Sequence, residues 1–304
     1  MALAYCILAH KQPGQLIRLV RALHHPADII LLHVDARAPA AMHQAAASLS
    51  QDLSGVEVMP SRPIVWGGST MIETQIAAMD LALRRHVDWT HFINLTAQDF
   101  PLKTRSDCIQ KLGIDPTASY LSWFDPLREP IWKNARERLD RYYIEWPWLD
   151  RLLRVPGLGR RLRRILGWSN TLPRVPFFRR RWPDFFHYYG GSNYVVLSRA
   201  AAAYVARDVS ARRIRHWLRA SAHADEIVFQ TVLLNSSHRT RLINNDLREI
   251  DFPRNAPHPR TFTHADLPRL RSSTKLFARK FDESVDSEVL TQLERNLLRS
   301  PAHS

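Results

Sequence analysis

Apolar runs and amphipathic segments alternate over the first 125 residues of the chain. The runs have the length and the continuous apolar character of buried strands, and they occupy residues 3–10, 28–35, 56–60, 90–96 and 119–124. Between them, apolar residues recur at helical spacing, at 15–23, 40–49 and 70–85. This alternation predicts βα units and an α/β fold with a mainly parallel central sheet flanked by helices.

The strand order along the chain also predicts where a ligand would bind. In open α/β sheets, ligands bind beyond the carboxyl ends of the strands. His10, the 33–35 turn and the 97–103 turn all follow predicted strands. We therefore expect these three positions to lie near one another.

The pattern changes after residue 125. Residues 126–189 are rich in Pro, Trp and Arg and have little periodicity, which predicts an insertion or lid with a basic amphipathic helix around 151–166. Strand character returns at 190–199. We then expect helices within 199–219, 225–236 and 284–299 and two short strands within 240–252. The expected organisation is one domain over 1–304, divided into 1–125, 126–189 and 190–304.

Composition agrees with a globular protein that has a large core, since 45% of the residues are hydrophobic. No apolar run approaches the roughly 20 residues of a membrane span. The N-terminal sequence MALAYCILAH is interpreted as a first strand rather than a signal peptide. Cys6 and Cys108 are the only cysteines, so we expect two buried free thiols.

The formal net charge is +14, and 37 of the 43 basic residues are Arg. Such a charge favours an anionic partner: nucleic acid, acidic lipid or a phosphorylated substrate. The charge is local, because ten Arg and no acidic residue lie between Arg151 and Trp182. Residues 151–168 also place Leu, Ile and Trp on one side of a basic segment. This predicts either a lid helix or a helix that lies on an anionic membrane.

Common nucleotide-binding and hydrolase motifs are absent from the sequence, and no Asp-x-Asp carboxylate pair is present. Two adjacent acids, Asp225 and Glu226, precede an apolar run of helical character. Acids at a helix start either cap free amides or remain available for chemistry. The pattern alone leaves both roles open.

Several segments in a fixed order resemble one family. The chain is similar to the core-2/I-branching β-1,6-N-acetylglucosaminyltransferases and the peptide O-xylosyltransferases over about residues 1–282. The segments that carry the resemblance are YCILAHKQP (5–13), LLHVDAR (31–37), VWGGSTMIE (65–73), INLTAQDFPLKT (93–104), GGSNYVVLSR (190–199), ADEIVFQTVLLNS (224–236) and LREIDF (247–252).

The resemblance implies a GT-A-like fold and inverting transfer of a sugar from a UDP-sugar without a metal ion. By the same resemblance, Glu226 is the catalytic base, and Arg260 and Lys280 bind the diphosphate in place of a metal. A cationic pair suits this role because negative charge gathers on the departing UDP. Residues 1–125 would then form the nucleotide-sugar-binding half, and residues 190–304 the acceptor and catalytic half.

The remaining site residues follow from the same comparison. Trp66 is expected either to stack on a base or sugar or to belong to the core, and Asp99 either to contact the donor sugar or to form a turn before Pro101. Asp225 is expected to cap the helix beside the acceptor. The expected donor contacts are His10, His33, Val34, Asp35, Ser61, Arg62, Trp66, Gly67 and Asp99. The expected acceptor contacts are Gly191, Ser192, Tyr194, Arg138 and Asp225.

The sequence thus predicts a glycosyltransferase that moves N-acetylglucosamine or xylose to a hydroxyl of a glycan or protein. We expect no cofactor, no metal and no nucleic-acid partner. The expected location is the cytoplasm, with peripheral contact at the inner membrane face. The alternatives are a basic nucleic-acid-binding protein and a metal-dependent phosphate-handling hydrolase on an α/β sheet.

Overall fold

A seven-stranded sheet forms the centre of the protein, and its strand order is β10-β6-β9-β4-β1-β2-β3. The computed structural model describes residues 1–129, 131–132, 135–143, 145, 155, 157, 161, 174–253 and 258–299. The sheet strands are β1 (Ala2–Ala9), β2 (Ile29–Val34), β3 (Val56–Val58), β4 (Trp89–Thr96), β6 (Ser119–Leu121), β9 (Val195–Ser198) and β10 (Leu242–Asn244).

Parallel pairing dominates this sheet. Strands β3, β2, β1 and β4 run parallel to one another, and β6 runs parallel to β10. Strand β9 lies antiparallel between β4 and β6. The predicted α/β class with a mainly parallel sheet is confirmed.

Helices cover both faces of the sheet because each central strand is apolar on both sides. Leu3, Tyr5 and Ile7 of β1 join one core cluster, whereas Ala4 and Cys6 join the other. Burial on both faces explains why β1 is an uninterrupted apolar run. The helices are α1 (Pro13–Leu23), α2 (Ala40–Asp52), α3 (Ser69–Arg84), α4 (Arg105–Gly113), α5 (Ala135–Asp140), α6 (Arg199–Arg207), α7 (Val209–Leu218), α8 (Val228–Leu234), α9 (Leu267–Ser272) and α10 (Glu288–Arg299).

Helix boundaries in the second half follow local capping. The helical region 199–219 contains two helices, since Asp208 accepts hydrogen bonds from the Ser210 and Ala211 amides and begins α7. The last helix begins at Glu288 rather than at residue 284, with Asp286 accepting from the Glu288 amide. Side-chain oxygens at these positions satisfy amides that have no partner within the helix.

A second, three-stranded sheet has the order β11-β12-β5, formed by β11 (Arg248–Ile250), β12 (Phe277–Arg279) and β5 (Asp99–Pro101). Part of the segment predicted as the 97–103 turn is therefore the short strand β5. The pairing joins residues almost 180 positions apart, with Ala278 opposite Phe100. Local sequence carries no signal for such a pairing.

The described part of 126–189 contacts the core at defined points. It contains α5 and an antiparallel pair of strands, β7 (Arg141–Tyr143) and β8 (Arg174–Arg179). Glu145 accepts hydrogen bonds from the amides of Ser69 and Thr70 and so caps the start of α3. The predicted basic helix at 151–166 lies outside the described residues, apart from three isolated positions.

Both cysteines are free and buried, as predicted, and burial raises the pKa of each thiol to about 12.

None of the helices in the described part of the chain combines the length and the apolar character that crossing a bilayer requires.

Candidate active site at the carboxyl ends of the strands

A cavity of about 620 Å³ opens where β1, β2 and β4 end. His10 follows β1, and His33 and Asp35 lie at the end of β2. Thr96 is the last residue of β4, and Gln98 follows it. The prediction that these strand ends gather around one site is confirmed. The volume lies within the range of about 300–1,000 Å³ typical of small-molecule sites.

Nine of the residues proposed from the sequence line this cavity: His10, His33, Asp35, Trp66, Gly191, Ser192, Tyr194, Asp225 and Glu226. Eight others lie outside its lining: Val34, Ser61, Arg62, Gly67, Asp99, Arg138, Arg260 and Lys280. Several of the eight contact a lining residue directly, so the cavity wall and its support come from the same segments.

Glu226 is held in place by an arginine from the insertion. Nη1 of Arg138 donates to Oε2 of Glu226 at 2.7 Å. The Arg138 guanidinium also lies 3.8 Å from the ring centroid of Trp132. The Glu226 side chain is 34% exposed. Oε1 receives no hydrogen bond from the residues that the structure describes, so this oxygen remains available to a ligand in the cavity.

Asp225 has a different environment from its neighbour. Residues Ala224–Glu226 form a single 3-10 turn, and α8 begins at Val228 without a side-chain cap. The predicted capping role of Asp225 is therefore wrong. Instead, Asp225 is buried, and its Oδ1 has no partner among the described residues. Burial, with a contribution from Glu226, raises the pKa of Asp225 to about 7.

Gly191 brings the backbone of the loop before β9 against the turn that carries Glu226. Its amide donates to the Glu226 carbonyl at 2.9 Å. A Cβ at this position would lie 1.9 Å from the Ser122 carbonyl oxygen, a distance that no side chain tolerates. The glycine is therefore required by close approach rather than by an unusual backbone angle.

His33 and Asp35 organise the loop that follows β3. Nε2 of His33 accepts from the Arg62 amide at 3.2 Å, and Asp35 accepts from the Ile64 amide at 3.0 Å. Burial lowers the pKa of His33 to about 4. Burial alone would raise the pKa of Asp35, but hydrogen bonds from Arg37 and the Ile64 amide lower it.

The protonation of His33 leaves one donor at the cavity wall. Since Nε2 accepts a hydrogen bond and the ring is neutral near pH 7, Nδ1 carries the proton. This buried Nδ1 has no partner among the described residues. His33 therefore has one ring N–H group without a partner among the described residues.

Trp66 lies at the mouth of the cavity and is 45% exposed, so the alternative of a core tryptophan is wrong. Its ring meets His223 edge-on, with 5.2 Å between centroids. Gly67 follows with a φ of +73°, and a Cβ there would press on the His223 ring at 3.1 Å. The glycine thus sets the angle at which Trp66 reaches the mouth.

Asp99 supports the wall from beneath and does not reach the cavity. It is fully buried, and Oδ2 accepts from the Thr96 amide at 2.6 Å. Oδ1 accepts from Nη1 of Arg279 at 3.1 Å. Arg279 lines the cavity and was not identified from the sequence. The only available signal was its position beside Lys280 in FARKFD.

Positive charge concentrates beside Arg279. Burial lowers the pKa of Lys280, and the charges of Lys11 and Arg279 lower it further. Burial likewise lowers the pKa of His10, with added contributions from Lys11, Arg279 and Lys280. Several cationic groups at the end of β1 thus influence one another, and Nζ of Lys11 is also paired with Asp282 at 3.0 Å. Such a cluster is suited to an anionic ligand.

Arg260 is engaged elsewhere. Its Nη2 contacts Asp251 at 2.8 Å and Asp266 at 2.7 Å. The side chain is 40% exposed and forms no part of the cavity lining. Two carboxylates therefore offset its charge, in contrast to Lys280.

The described ranges contain no convergence of three or more His, Cys, Asp or Glu side chains suited to a metal ion. Sequence reasoning also missed the aromatic walls of the cavity, Phe124, Trp132 and Phe252, as well as His258. These residues come from separate segments, and only the fold brings them together.

The fold and the cavity define an α/β protein with an anion-suited ligand site at the carboxyl ends of its strands. A family model described as Core-2/I-Branching enzyme matches residues 3–273. The chain belongs to this family of glycosyltransferases, as the sequence segments predicted. Membership agrees with the GT-A-like architecture that was expected.

Curated relatives include a xylosyltransferase of Ciona intestinalis, 27% identical over 97% of this chain and 34% of the relative. Human xylosyltransferase 1 is 26% identical over 96% of this chain and 30% of the relative. Human xylosyltransferase 2 is 27% identical over 98% and 34%, respectively. The chain thus spans about a third of the length of the curated relatives it matches.

Two solved structures are similar at a low level. The galactosyltransferase LgtC, in complex with donor and acceptor sugar analogs, is 9% identical, with a TM-score of 0.41 and coverage of 99% of this chain and 98% of that chain. Mouse xyloside xylosyltransferase 1 is 10% identical, with a TM-score of 0.38 and coverage of 91% and 97%. Scores at this level support no further conclusion.

Proposed function

We propose that this protein transfers a sugar from a UDP-sugar to a hydroxyl group of a glycan or protein, with inversion and without a metal ion. Xylose and N-acetylglucosamine are the proposed donor sugars, and the names of the curated relatives favour xylose. The observation that carries the proposal is a single cavity with Glu226 in one wall and Arg279 in another.

Glu226 is the proposed general base. The acceptor oxygen attacks the anomeric carbon as the bond to the β-phosphate breaks, and the leaving electron pair stays on UDP. The acceptor proton passes to Oε1 of Glu226, while Oε2 keeps its hydrogen bond to Arg138. Attack from the side opposite the leaving group inverts the anomeric configuration. A positioned base of this kind contributes about 10²–10⁴-fold to the rate.

Lys280 and Arg279 are the proposed partners of the departing diphosphate. Lys280 lies within the cationic cluster, and Arg279 is fixed at the wall by Asp99. Cationic groups that are already oriented stabilise developing negative charge at little reorganisation cost. Arg260, which the family resemblance also implies, would have to leave Asp251 and Asp266 to contribute equally.

The uridine is proposed to bind where β1 and β2 end. Nδ1 of His33 is available to donate, and Trp66 presents an exposed ring at the mouth. On the acceptor side, the Gly191–Ser192 backbone and Tyr194 line the wall next to Glu226. Asp225 is the proposed polar contact to the acceptor, since its Oδ1 lacks a partner among the described residues.

The test is a panel of UDP-sugars with released UDP as the readout, measured with and without EDTA in the presence of hydroxyl acceptors. We expect turnover with UDP-xylose or UDP-N-acetylglucosamine that EDTA does not reduce. Turnover that requires a divalent ion would contradict the metal-free mechanism. Absence of both UDP binding and turnover would contradict the proposed function as a whole.

The same panel addresses the two alternatives. A nucleic-acid-binding protein would gain no thermal stability from UDP, whereas a phosphate-handling hydrolase would lose its activity in EDTA. We further propose a cytoplasmic location with peripheral contact at the inner membrane face, on the basis of the basic segment at 151–168. Co-sedimentation with anionic vesicles, before and after deletion of that segment, tests this part.

A further inference from the structure

A second cavity, of about 730 Å³, lies beside the candidate active site. We call it the arginine groove. It is lined by Arg128, Arg136, Arg141 and Arg179 and by Trp132, among other residues. Trp132 also lines the first cavity. One aromatic side chain therefore forms the boundary between the two spaces.

The same tryptophan connects the groove to the proposed base. Arg138 stacks on the Trp132 ring and holds Glu226 at 2.7 Å. A ligand whose reacting hydroxyl lies at Glu226 would therefore meet Trp132 next and enter the groove beyond it. The groove is thus placed to bind the part of an acceptor that extends away from the reacting group.

Within the part of the chain that the structure describes, the arginines of the groove have only long contacts to carboxylates. Arg179 lies 3.5 Å and Arg141 4.0 Å from Asp140, and Arg128 lies 3.5 Å from Asp125. Charge-assisted hydrogen bonds are typically about 2.7–2.9 Å long. Each guanidinium carries five N–H donors, so one long contact leaves donors for another anion.

Charge across the region points in the same direction. Residues 126–189 hold 15 basic and 6 acidic residues, which gives nine of the net fourteen positive charges of the chain. Three carboxylates also line the groove, those of Glu129, Glu137 and Asp140. The lining therefore alternates in sign, which suits discrete anionic groups spaced along a chain better than one dense anion.

Apolar surface at the groove favours sugar rings as the carriers of those groups. Trp132 forms part of the wall, and Arg136 lies 5.9 Å from the Trp182 ring, which is 38% exposed. Aromatic faces beside guanidinium groups match pyranose rings that bear carboxylates.

We propose that the acceptor is an acidic oligosaccharide that runs from Glu226 past Trp132 into the arginine groove, where its carboxylates bind Arg136 and Arg179. This inference rests on the proposed function, because it assigns the groove to the acceptor of that reaction. The class of ligand is an oligosaccharide of uronic acids.

The experiment is calorimetric titration of the full chain with a hexamer of galacturonic acid and with its carboxyl-reduced counterpart. We expect binding of the acidic hexamer that weakens with salt, and at least about tenfold weaker binding of the neutral one. The Arg136→Gln/Arg179→Gln variant should lose about tenfold in affinity for the acidic hexamer. Both side chains are exposed, so the fold should be unaffected.

The matched control is Arg239→Gln/Arg271→Gln, which removes the same charge from two exposed arginines outside the groove. Equal losses in both double variants would mean that bulk charge alone attracts the ligand and would overturn the proposal. Equal binding of the neutral hexamer, or of a hexaglutamate peptide, would also overturn it. UDP affinity, measured on the same samples, separates a failure of the groove from a failure of the UDP-sugar site.

Discussion

The α/β half of the chain (residues 1–104) and the inserted region (126–189) contribute to the site by different routes. In the first half, the parallel pairing of β1 with β2 brings His10, His33 and Asp35 together at the carboxyl ends of these strands. In the insertion, Arg138 reaches Glu226 across 88 positions of sequence. The proposed donor side is thus fixed by the sheet, whereas the proposed base depends on one long-range hydrogen bond.

Because different contacts hold the two sides in place, the two sides should respond differently to mutation. The sheet side is supported by burial on both faces, so single changes at its surface should alter binding rather than geometry. The base side depends on an arginine that a single substitution removes. Four predictions test the contrast, beginning with the largest expected effect.

Glu226→Gln should lower the transfer rate by about 10²–10⁴-fold, because an amide cannot accept the acceptor proton at neutral pH. UDP affinity should be unchanged, since the proposed diphosphate contacts, Lys280 and Arg279, do not involve Glu226. Rates from UDP release and affinity from calorimetry measure the two effects. Glu288→Gln, on the exposed face of α10, is the control. Loss of UDP binding in Glu226→Gln would refute a role confined to proton removal.

Arg138→Gln should lower kcat by about tenfold to a hundredfold, because it removes a charge-assisted hydrogen bond that orients the base. KM for the UDP-sugar should change little. Steady-state kinetics beside Arg212→Gln, an exposed arginine of α7, checks this expectation. A rise in KM with kcat preserved would show that Arg138 binds substrate instead of positioning Glu226.

Lys280→Gln should weaken UDP binding by about tenfold and leave uridine binding unchanged, since only UDP carries the diphosphate. Arg260→Gln should have a smaller effect on UDP, because Asp251 and Asp266 already bind that guanidinium. Titrations of both variants with UDP and with uridine compare the two cations. An equal or larger loss in Arg260→Gln would mean that Arg260 leaves its carboxylates to bind the nucleotide.

Asp225 should make the stability of the protein depend on pH. Its pKa is raised from 3.8 to about 7, so the folded protein holds the proton more tightly than the unfolded chain. The free energy of unfolding should therefore fall as pH rises from 4 to 7, by about 2 kcal/mol between pH 5 and pH 7. Asp225→Asn should lose this decline. Urea unfolding of the unchanged protein and of Asp225→Asn, at pH 5 and at pH 7, tests this prediction. The same change in unfolding free energy with pH in both proteins would contradict it.

The sequence predicted the sheet side well, because the strands that the first 121 residues contribute to the central sheet lie in apolar runs that can be recognised locally. It also identified Glu226, Asp225 and the Gly191–Ser192 segment, all of which line the cavity. It did not predict that Arg279 forms part of the wall. That position depends on the pairing of β12 with β5 and on Asp99, and both contacts join distant parts of the chain.

The same limit explains the error at Asp225. Two acids before an apolar run are a typical helix start, but the Gly191 amide binds the Glu226 carbonyl at this turn, and the helix begins later, at Val228. Burial of one acid and exposure of the other then follow from packing. The local sequence pattern does not indicate which of the two acids becomes buried.

A crystal structure of the protein with UDP, grown in the presence of EDTA, tests the central claim most directly. We predict that Nζ of Lys280 lies within hydrogen-bonding distance of a diphosphate oxygen and that the uracil lies at the end of β2 near His33. UDP bound outside this cavity, or bound only when a divalent ion bridges its phosphates, would contradict the account.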